Sequence, residues 1–157
     1  MREIELLVAT APEDVAAAAR LIRAYADWLD VDLCFQDFEQ ELAALPGAYG
    51  PPRGRLLLAK QSGAVMGCVA LRPLEADICE MKRLWVEPGS AGKGIGRTLA
   101  RRAVADARQL GYRAMRLDTI PERMPAAQEL YRSLGFVEIP AYYHNPLEGV
   151  VMLEVTL

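Results

Sequence analysis

The sequence is poor in lysine, histidine and cysteine. Lys60, Lys82 and Lys93 are its lysines, His144 is its one histidine, and Cys34, Cys68 and Cys79 are its cysteines. The formal net charge is −3. There is no cationic surplus to displace counterions from a phosphate backbone, which argues against nucleic acid as a partner. The odd cysteine count and the absence of a CxxC argue against a disulfide framework and a metal site. Cys68 and Cys79 fall in strand-like apolar runs and are expected to pack as buried thiols. No apolar run approaches the roughly 20 residues of a membrane span. Met1-Arg2-Glu3-Ile4 enters an alternating pattern without an apolar signal-peptide core, so no membrane partner and a cytoplasmic location are expected. Linkers, repeats and low-complexity segments are missing too, so residues 1–157 are expected to form a single domain.

What is present is ordinary globular composition, 52% hydrophobic and 25% charged in 157 residues. A chain of this length buries about two-thirds of its unfolded surface without a covalent staple. Ile4, Leu6 and Val8 alternate as a first strand. Thr10-Ala11-Pro12-Glu13 reads as a capping box with proline in the first turn, opening a helix that runs to about Leu29. A second short helix fits Phe35 to Leu45 and stops at Pro46-Gly47. Strands follow at 55–60 and 64–71, joined at Ser62-Gly63, and then at 78–86. After the turn Gly89 to Gly96, an amphipathic helix carries Ile95, Leu99, Ala103, Ala107 and Leu110 on one face. Strand 115–119, helix 125–134 and strands 136–139 and 150–157 complete the chain. Hairpins early and strand–helix alternation late predict an α/β (α+β) mixed sheet with helices on both faces.

Ser90-Ala91-Gly92-Lys93-Gly94-Ile95-Gly96-Arg97 joins a strand to that helix. Glycines let backbone N–H groups turn inward and a phosphate approach closely, and the helix start adds unpaired N–H groups. A P-loop would need Ser or Thr after its lysine, and Lys93 is followed by Gly94. A dinucleotide fingerprint would need GxGxxG, and the spacing here is GxGxG. Asp118, about 20 residues on, stands where a ribose-binding acid would, so a dinucleotide-dependent reductase is the rival reading. Coenzyme A is the third candidate.

Glu80-Met81-Lys82-Arg83-Leu84-Trp85-Val86-Glu87-Pro88, the loop 91–97, and Ala126-Ala127-Gln128-Glu129-Leu130-Tyr131-Arg132-Ser133-Leu134-Gly135-Phe136 together resemble the acetyl-CoA region of the GNAT N-acetyltransferase superfamily. The resemblance covers nearly the whole chain in element order. Two departures stand out. Ala91 occupies a position that is Arg or Gln in the family, and Met124 one where many relatives have Asn.

The resemblance implies a mixed sheet of about seven strands with about four helices, acetyl-CoA as cosubstrate, and transfer to an amine. It places Leu84, Trp85, Val86, Ala91, Gly92, Lys93, Gly94, Ile95, Gly96, Arg97 and Thr98 against the cofactor, with Arg101 a further candidate for its phosphates. Tyr131 corresponds to the tyrosine beside the CoA sulfur and is the candidate acid for the leaving thiolate. Glu80 is the candidate base for the amine proton, with Asp118 its competitor. No metal is implied. Tyr142, Tyr143 and Asn145 are expected to wall the acceptor pocket, with Phe35 and Gln36 opposite. His144 reads as an ordinary loop histidine, and Trp28 and Trp85 as core or partner-contact residues. Glu80, Asp77 and Asp118 near the presumed mouth favour a small cationic amine. Dimerisation is common in the family, and no residue here specifies it. An acyl-CoA-binding sensor without turnover is the non-enzyme alternative.

Overall fold

Ser62 and Gly63 both adopt positive φ (55° and 81°) and close a two-residue hairpin, the geometry that matches the twist of antiparallel strands. They join β2 (Arg55–Gln61) to β3 (Ala64–Pro73). The computed structural model describes residues 3–30 and 37–157. Before the hairpin come β1 (Glu5–Val8), α1 (Pro12–Leu29) and α2 (Phe38–Ala43). After it come β4 (Ile78–Val86), α3 (Ile95–Gln109), β5 (Ala114–Thr119), α4 (Pro125–Ser133), β6 (Val137–Ile139) and β7 (Val151–Thr156). The expected order of elements is the observed one.

Two local expectations are corrected. Thr10 does not cap α1; the N-cap is Ala11, with no side-chain hydrogen bond and proline in the first turn. Proline has no N–H to be capped, so the hydroxyl loses part of its role there. The second helix is six residues long and begins at Phe38, while Cys34, Phe35 and Gln36 lie outside the described residues.

The strands form one sheet in the order β1-β2-β3-β4-β5-β7-β6. Only β4 and β5 run parallel; the other neighbours are antiparallel. This excludes the glycine loop as the opening of a fully parallel dinucleotide-binding sheet.

Period-two alternation sorts the strand residues onto two faces. On one face Leu57, Val69, Leu71, Cys79, Met81, Met115, Leu117 and Leu153 pack with Leu99, Ala103 and Ala107 of α3 and with Tyr131 of α4. On the other, Leu56, Leu58, Cys68, Ala70 and Trp85 pack with Ala18, Leu21 and Ile22 of α1 and with Phe38. Each large apolar side chain buried this way contributes about 1.5–3 kcal/mol. Among the described residues, no helix is long and apolar enough to cross a membrane.

Candidate active site

The parallel pair β4–β5 is short. Ile78, Cys79 and Glu80 face Ala114, Met115 and Arg116, and the pairing stops there. From Met81 to Val86 the edge of β4 facing β5 has no strand partner, while Leu117, Asp118 and Thr119 of β5 remain paired to β7. The two strands therefore diverge into a wedge, and β4 has no neighbouring strand along its β5-facing edge beyond Glu80.

A bulge lies in the same stretch of β4. Cys68 pairs with Trp85 and Ala70 with Lys82, so Arg83 and Leu84 together oppose Val69. Arg83 has φ of 62°, a left-handed conformation that costs a non-glycine residue about 1–3 kcal/mol. Its guanidinium donates to both oxygens of Glu41, at 2.9 Å each, and lies over the Phe38 ring at 5.3 Å. Burial alone would raise the Glu41 pKa, but the hydrogen bonds and charge of Arg83 hold it below the usual carboxylate range. The bulge resets the alternation. Cys79 and Met81 face α3 before it, Leu84 does so after it, and Trp85 turns to the α1 side. Glu80 and Lys82 consequently share the α1 face with Trp85.

A narrow cleft fills the wedge. Its lining includes Met81, Lys82, Arg83 and Leu84 from β4, Asp118 and Thr119 from β5, Tyr25 from α1, and Tyr131 from α4. Tyr131 is 6% exposed and meets Phe136 edge-on at 5.7 Å. Burial, followed by the charges of Tyr25 and Asp118, raises its pKa well above an ordinary phenol, so the hydroxyl stays a proton donor. Burial also pushes the Tyr25 phenol up to about 12. Both hydrogen bonds to Asp118 end on Oδ2, donated by the Tyr143 hydroxyl and by Asn145 Nδ2. Its Oδ1 has no hydrogen-bond partner among the described residues.

The cleft opens into a groove of about 520 Å³ lined by Trp28, Leu84, Trp85, Val86, Ala91, Gly96, Arg97 and Met124, with Pro125, Ala126 and Leu130 along α4. At its end lies the glycine loop, where Gly92 and Gly94 take φ of 81° and 77°. Gly94 is the N-cap of α3. The N–H groups of Ile95, Gly96 and Arg97 are first-turn donors without intrahelical partners. With the helix dipole they form an anion-binding end.

The eleven sequence-derived cofactor residues fit this frame differently from one another. Leu84, Trp85, Val86, Ala91, Gly96 and Arg97 line the groove, whereas the Ile95 side chain is 1% exposed and belongs to the core. Gly92, Lys93 and Gly94 make up the exposed loop. The Thr98 hydroxyl is turned back onto the Gly94 carbonyl at 2.9 Å. Arg97 reaches Ser133 Oγ at 3.1 Å, while Arg101 stays exposed on α3. The Trp85 indole N–H is buried beside the groove with no hydrogen-bond partner among the described residues, and a ligand carbonyl would satisfy it. Trp28, expected as a core or partner residue, is 49% exposed and stands against Trp85 at 5.4 Å on the groove wall.

Glu80 is separate from Tyr131. It is 1% exposed and borders a second cavity of about 290 Å³ with Glu41, Arg72, Leu74, Lys82, Tyr142, Tyr143 and His144. Arg72 donates to its Oε1 at 2.9 Å and Tyr142 to its Oε2 at 2.6 Å. The loop Tyr142 to Asn145 thus contributes to both cavities, Asn145 to the first and Tyr142, Tyr143 and His144 to the second. Asp77 does not stand at their mouth. It pairs with Arg113 at 2.7 Å and lines neither cavity.

Lys82, Arg83 and Tyr25 were missed as site residues. Charges at alternate positions of otherwise apolar strands (Arg72, Glu80, Lys82, Arg116, Asp118) were the available signal. Among the described residues, no group of three or more His, Cys, Asp or Glu could hold a metal ion.

Comparison with known proteins agrees with this architecture. The family model of the acetyltransferase (GNAT) family matches residues 16–136. An uncharacterized N-acetyltransferase of Schizosaccharomyces pombe is 38% identical over 148 residues, covering 93% of this chain and 90% of its own. The N-acetylaspartate synthetase of Homo sapiens is 34% identical over 135 residues, covering 85% of this chain and 42% of its own. A GNAT-family acetyltransferase structure from Staphylococcus aureus superposes with a TM-score of 0.80 at 18% identity, covering 98% of this chain and 99% of its own. The yncA protein of Salmonella typhimurium, solved with its cofactor acetyl-CoA, superposes with a TM-score of 0.70 at 19% identity, covering 98% and 94%.

Proposed function

The chain belongs to the GNAT family of acetyltransferases, and on that footing we propose that it transfers the acetyl group of acetyl-CoA to the primary amine of a small-molecule acceptor. The observation that carries this reading is the divergence of β4 from β5 after Glu80, which joins the groove and its anion-binding end to the cleft holding Tyr131. A phosphate-bearing cofactor with a long flexible arm needs those two parts in series. The kinship with N-acetylaspartate synthetases, whose name gives an N-acetylated amino acid as product, supports a small acceptor.

Bound there, acetyl-CoA supplies an acyl carbon activated as a thioester. The first-turn N–H groups of α3 and the loop amides hold its phosphates in place of Ala91, which contributes no charge. The β4 edge beyond its pairing with β5 supplies N–H groups for the arm and for the oxyanion that develops when an amine attacks. The Tyr131 hydroxyl donates its proton to the departing sulfur, a role suited to a phenol kept neutral by burial. The amine must first lose its proton. Two carboxylates compete for it. The open Oδ1 of Asp118 and its place in the Tyr131 cleft favour Asp118, whereas Arg72 and Tyr142 occupy both oxygens of Glu80.

The test is thiol release from acetyl-CoA in the presence of a panel of small amines, with the N-acetylated product confirmed by mass spectrometry. Amine-dependent release supports the reading. Binding of acetyl-CoA with no release for any small amine would overturn the choice of acceptor.

A further inference from the structure

Tyr25 enters the active-site cleft from α1, whose buried residues are otherwise apolar. It lies one turn after Leu21 and Ile22 and one turn before Leu29, all three buried. Side chains at these spacings share one helix face, so the Tyr25 ring is carried onto the sheet. There it meets the Trp85 indole edge-on at 5.9 Å and borders the cleft with Asp118 and Tyr131. Tyr131 reaches the same cleft from α4, on the other face of the sheet. The divergence of β4 from β5 is what lets phenols from the two faces line one space.

Most polar groups around the cleft are taken. Asn145 donates to Asp118 and to the Tyr143 hydroxyl, Arg83 holds Glu41, and Lys82 is engaged within the protein as well. Asp118 alternates with Leu117, which packs under α3, and so faces the α1 side. On that side two oxygens of the cleft have no hydrogen-bond partner among the described residues, Asp118 Oδ1 and the Tyr25 hydroxyl. Neither is sealed away; the partnerless side-chain atoms that are sealed belong to Tyr49, Trp85, Asp106, Thr119 and Gln128. Burial pushes the Tyr25 phenol up to about 12, so it stays neutral, with lone pairs to offer a donor.

A primary ammonium that enters here gives one proton to Asp118 Oδ1 and keeps two N–H bonds. Its lone pair forms the C–N bond to the acyl carbon. The C–S pair leaves on sulfur, which takes the Tyr131 proton. The nitrogen returns one proton to the Tyr131 oxygen, and the product amide keeps one N–H. An N–H held in a narrow cleft needs an acceptor, and a fixed acceptor also aims the lone pair at the thioester. Resting on the proposed small-amine acceptor, we infer that Tyr25 is a further catalytic and specificity-determining residue: its hydroxyl oxygen accepts the N–H that the amide retains, holds the amine together with Asp118, and confines the reaction to primary amines. A secondary ammonium gives up both of its protons. It has none left for Tyr25 and sets a carbon against the phenol instead.

The experiment measures thiol release by the full chain from acetyl-CoA with matched acceptors: alanine and N-methylalanine, tyramine and N-methyltyramine, benzylamine and N-methylbenzylamine. The expected result is that the parent uses at least one primary amine with kcat/KM about tenfold or more above its N-methyl partner. Tyr25→Phe keeps the ring against Trp85 and removes the hydroxyl. It should lower kcat for that primary amine about tenfold, leave the N-methyl partner and the KM for acetyl-CoA within about twofold, and so erase most of the preference. Its melting temperature should not fall, because no hydrogen bond within the protein is lost. Tyr25→Leu, as a second variant, should show the same loss of preference. A Tyr25→Phe enzyme that keeps the parent's rate on the primary amine, or that slows both partners equally, would overturn the inference and leave the small-amine reading intact. So would a variant whose only change is a faster secondary amine, the mark of a steric filter. A parent that acetylates the N-methyl partners as well as the primary amines overturns the inference without any variant. If acetyl-CoA binds and no amine of either kind is acetylated, the small-amine reading falls and the inference with it.

Discussion

The two faces of the sheet are built from the same strands and do different work. The face under α3 is apolar from Leu57 through Val69, Leu71, Met81 and Leu117 to Leu153. The face under α1 carries Arg72, Glu80, Lys82, Arg116 and Asp118 at alternate positions of β3, β4 and β5. Burying apolar carbon stabilises the fold by area, largely without regard to partner. Burying charge costs desolvation, so each ion on the α1 side must be matched, and the fold matches them: Arg72 with Glu80, Arg83 with Glu41, Arg116 with Glu154. Replacing such pairs by apolar side chains is often neutral or stabilising. The α3 side has the Arg55–Asp106 pair as well, but the concentration of charge on the α1 side around the wedge between β4 and β5 points to chemistry rather than to stability.

The sharpest way to separate chemistry from stability is to change one oxygen atom. Tyr131→Phe keeps the ring against Phe136 and removes the hydroxyl. The expected result is a fall in kcat of about 10²–10⁴-fold, the range for a positioned acid, with acetyl-CoA affinity and melting temperature nearly unchanged. An unaltered kcat, with chemistry shown to limit turnover, would remove Tyr131 from the mechanism.

The opposite behaviour is expected in the apolar layer. Leu99 is 0% exposed, and Leu99→Ala should cost about 2–5 kcal/mol of folding stability through lost burial and a cavity. Urea unfolding gives the loss, and the pH–rate profile of the folded fraction should keep its shape.

Glu41→Gln tests whether the ion pairs of the charged face contribute to stability as well. Removing one partner leaves Arg83 buried beside a neutral amide, at a cost of about 3 kcal/mol. The Glu41 carboxyl has its pKa lowered in the folded state, so its contribution is present above the unfolded carboxylate range. It is lost as pH falls through the lower folded value. Stability measured against pH should fall on the acid side in the parent and lose that part of the fall in Glu41→Gln.

The smallest effect concerns the amine proton. Asp118→Asn should slow transfer roughly tenfold at low pH, where little free amine exists, and recover as pH rises. Glu80→Gln should change the profile less. A reversed order in the pH–rate profiles would return the role to Glu80.

What the sequence disclosed was local. The positive φ of Ser62-Gly63 and of Gly92 and Gly94 is a property of short segments, and glycine or a turn dipeptide announces it. The order of strands and helices followed for the same reason, as did the family resemblance around the loop. The distribution of charge did not follow, because it depends on register between strands distant in the chain. The bulge at Arg83 exists only in the pairing of β4 with β3, and it is what sets Lys82 and Trp85 on one face. Asp77 was expected at the mouth, yet it is drawn to Arg113, just before β5. Thr10 matched a capping box in spelling, and the proline two residues on left Ala11 as the cap. Glu80 and Asp118 are equivalent as letters, and only the three-dimensional partners of their oxygens distinguish them.

The two glycines at the groove end are not equivalent either, and the difference supplies the most direct test. Gly94 needs glycine for its φ of 77°. Gly96 sits in the first turn of α3 with ordinary helical backbone, and an added Cβ would meet Val86 Cγ2 at 3.6 Å and Leu130 Cδ2 at 3.9 Å, which are normal contacts. Gly96→Val should therefore fold while filling the place where the cofactor's phosphates and arm approach the helix. Calorimetric binding of acetyl-CoA to the parent and to Gly96→Val, with thermal unfolding measured alongside, is the decisive measurement. The account predicts binding to the parent and at least tenfold weaker binding to the variant, about 1.4 kcal/mol, at a similar melting temperature. A folded Gly96→Val that binds acetyl-CoA as tightly as the parent, or a parent that does not bind it at all, would contradict the account.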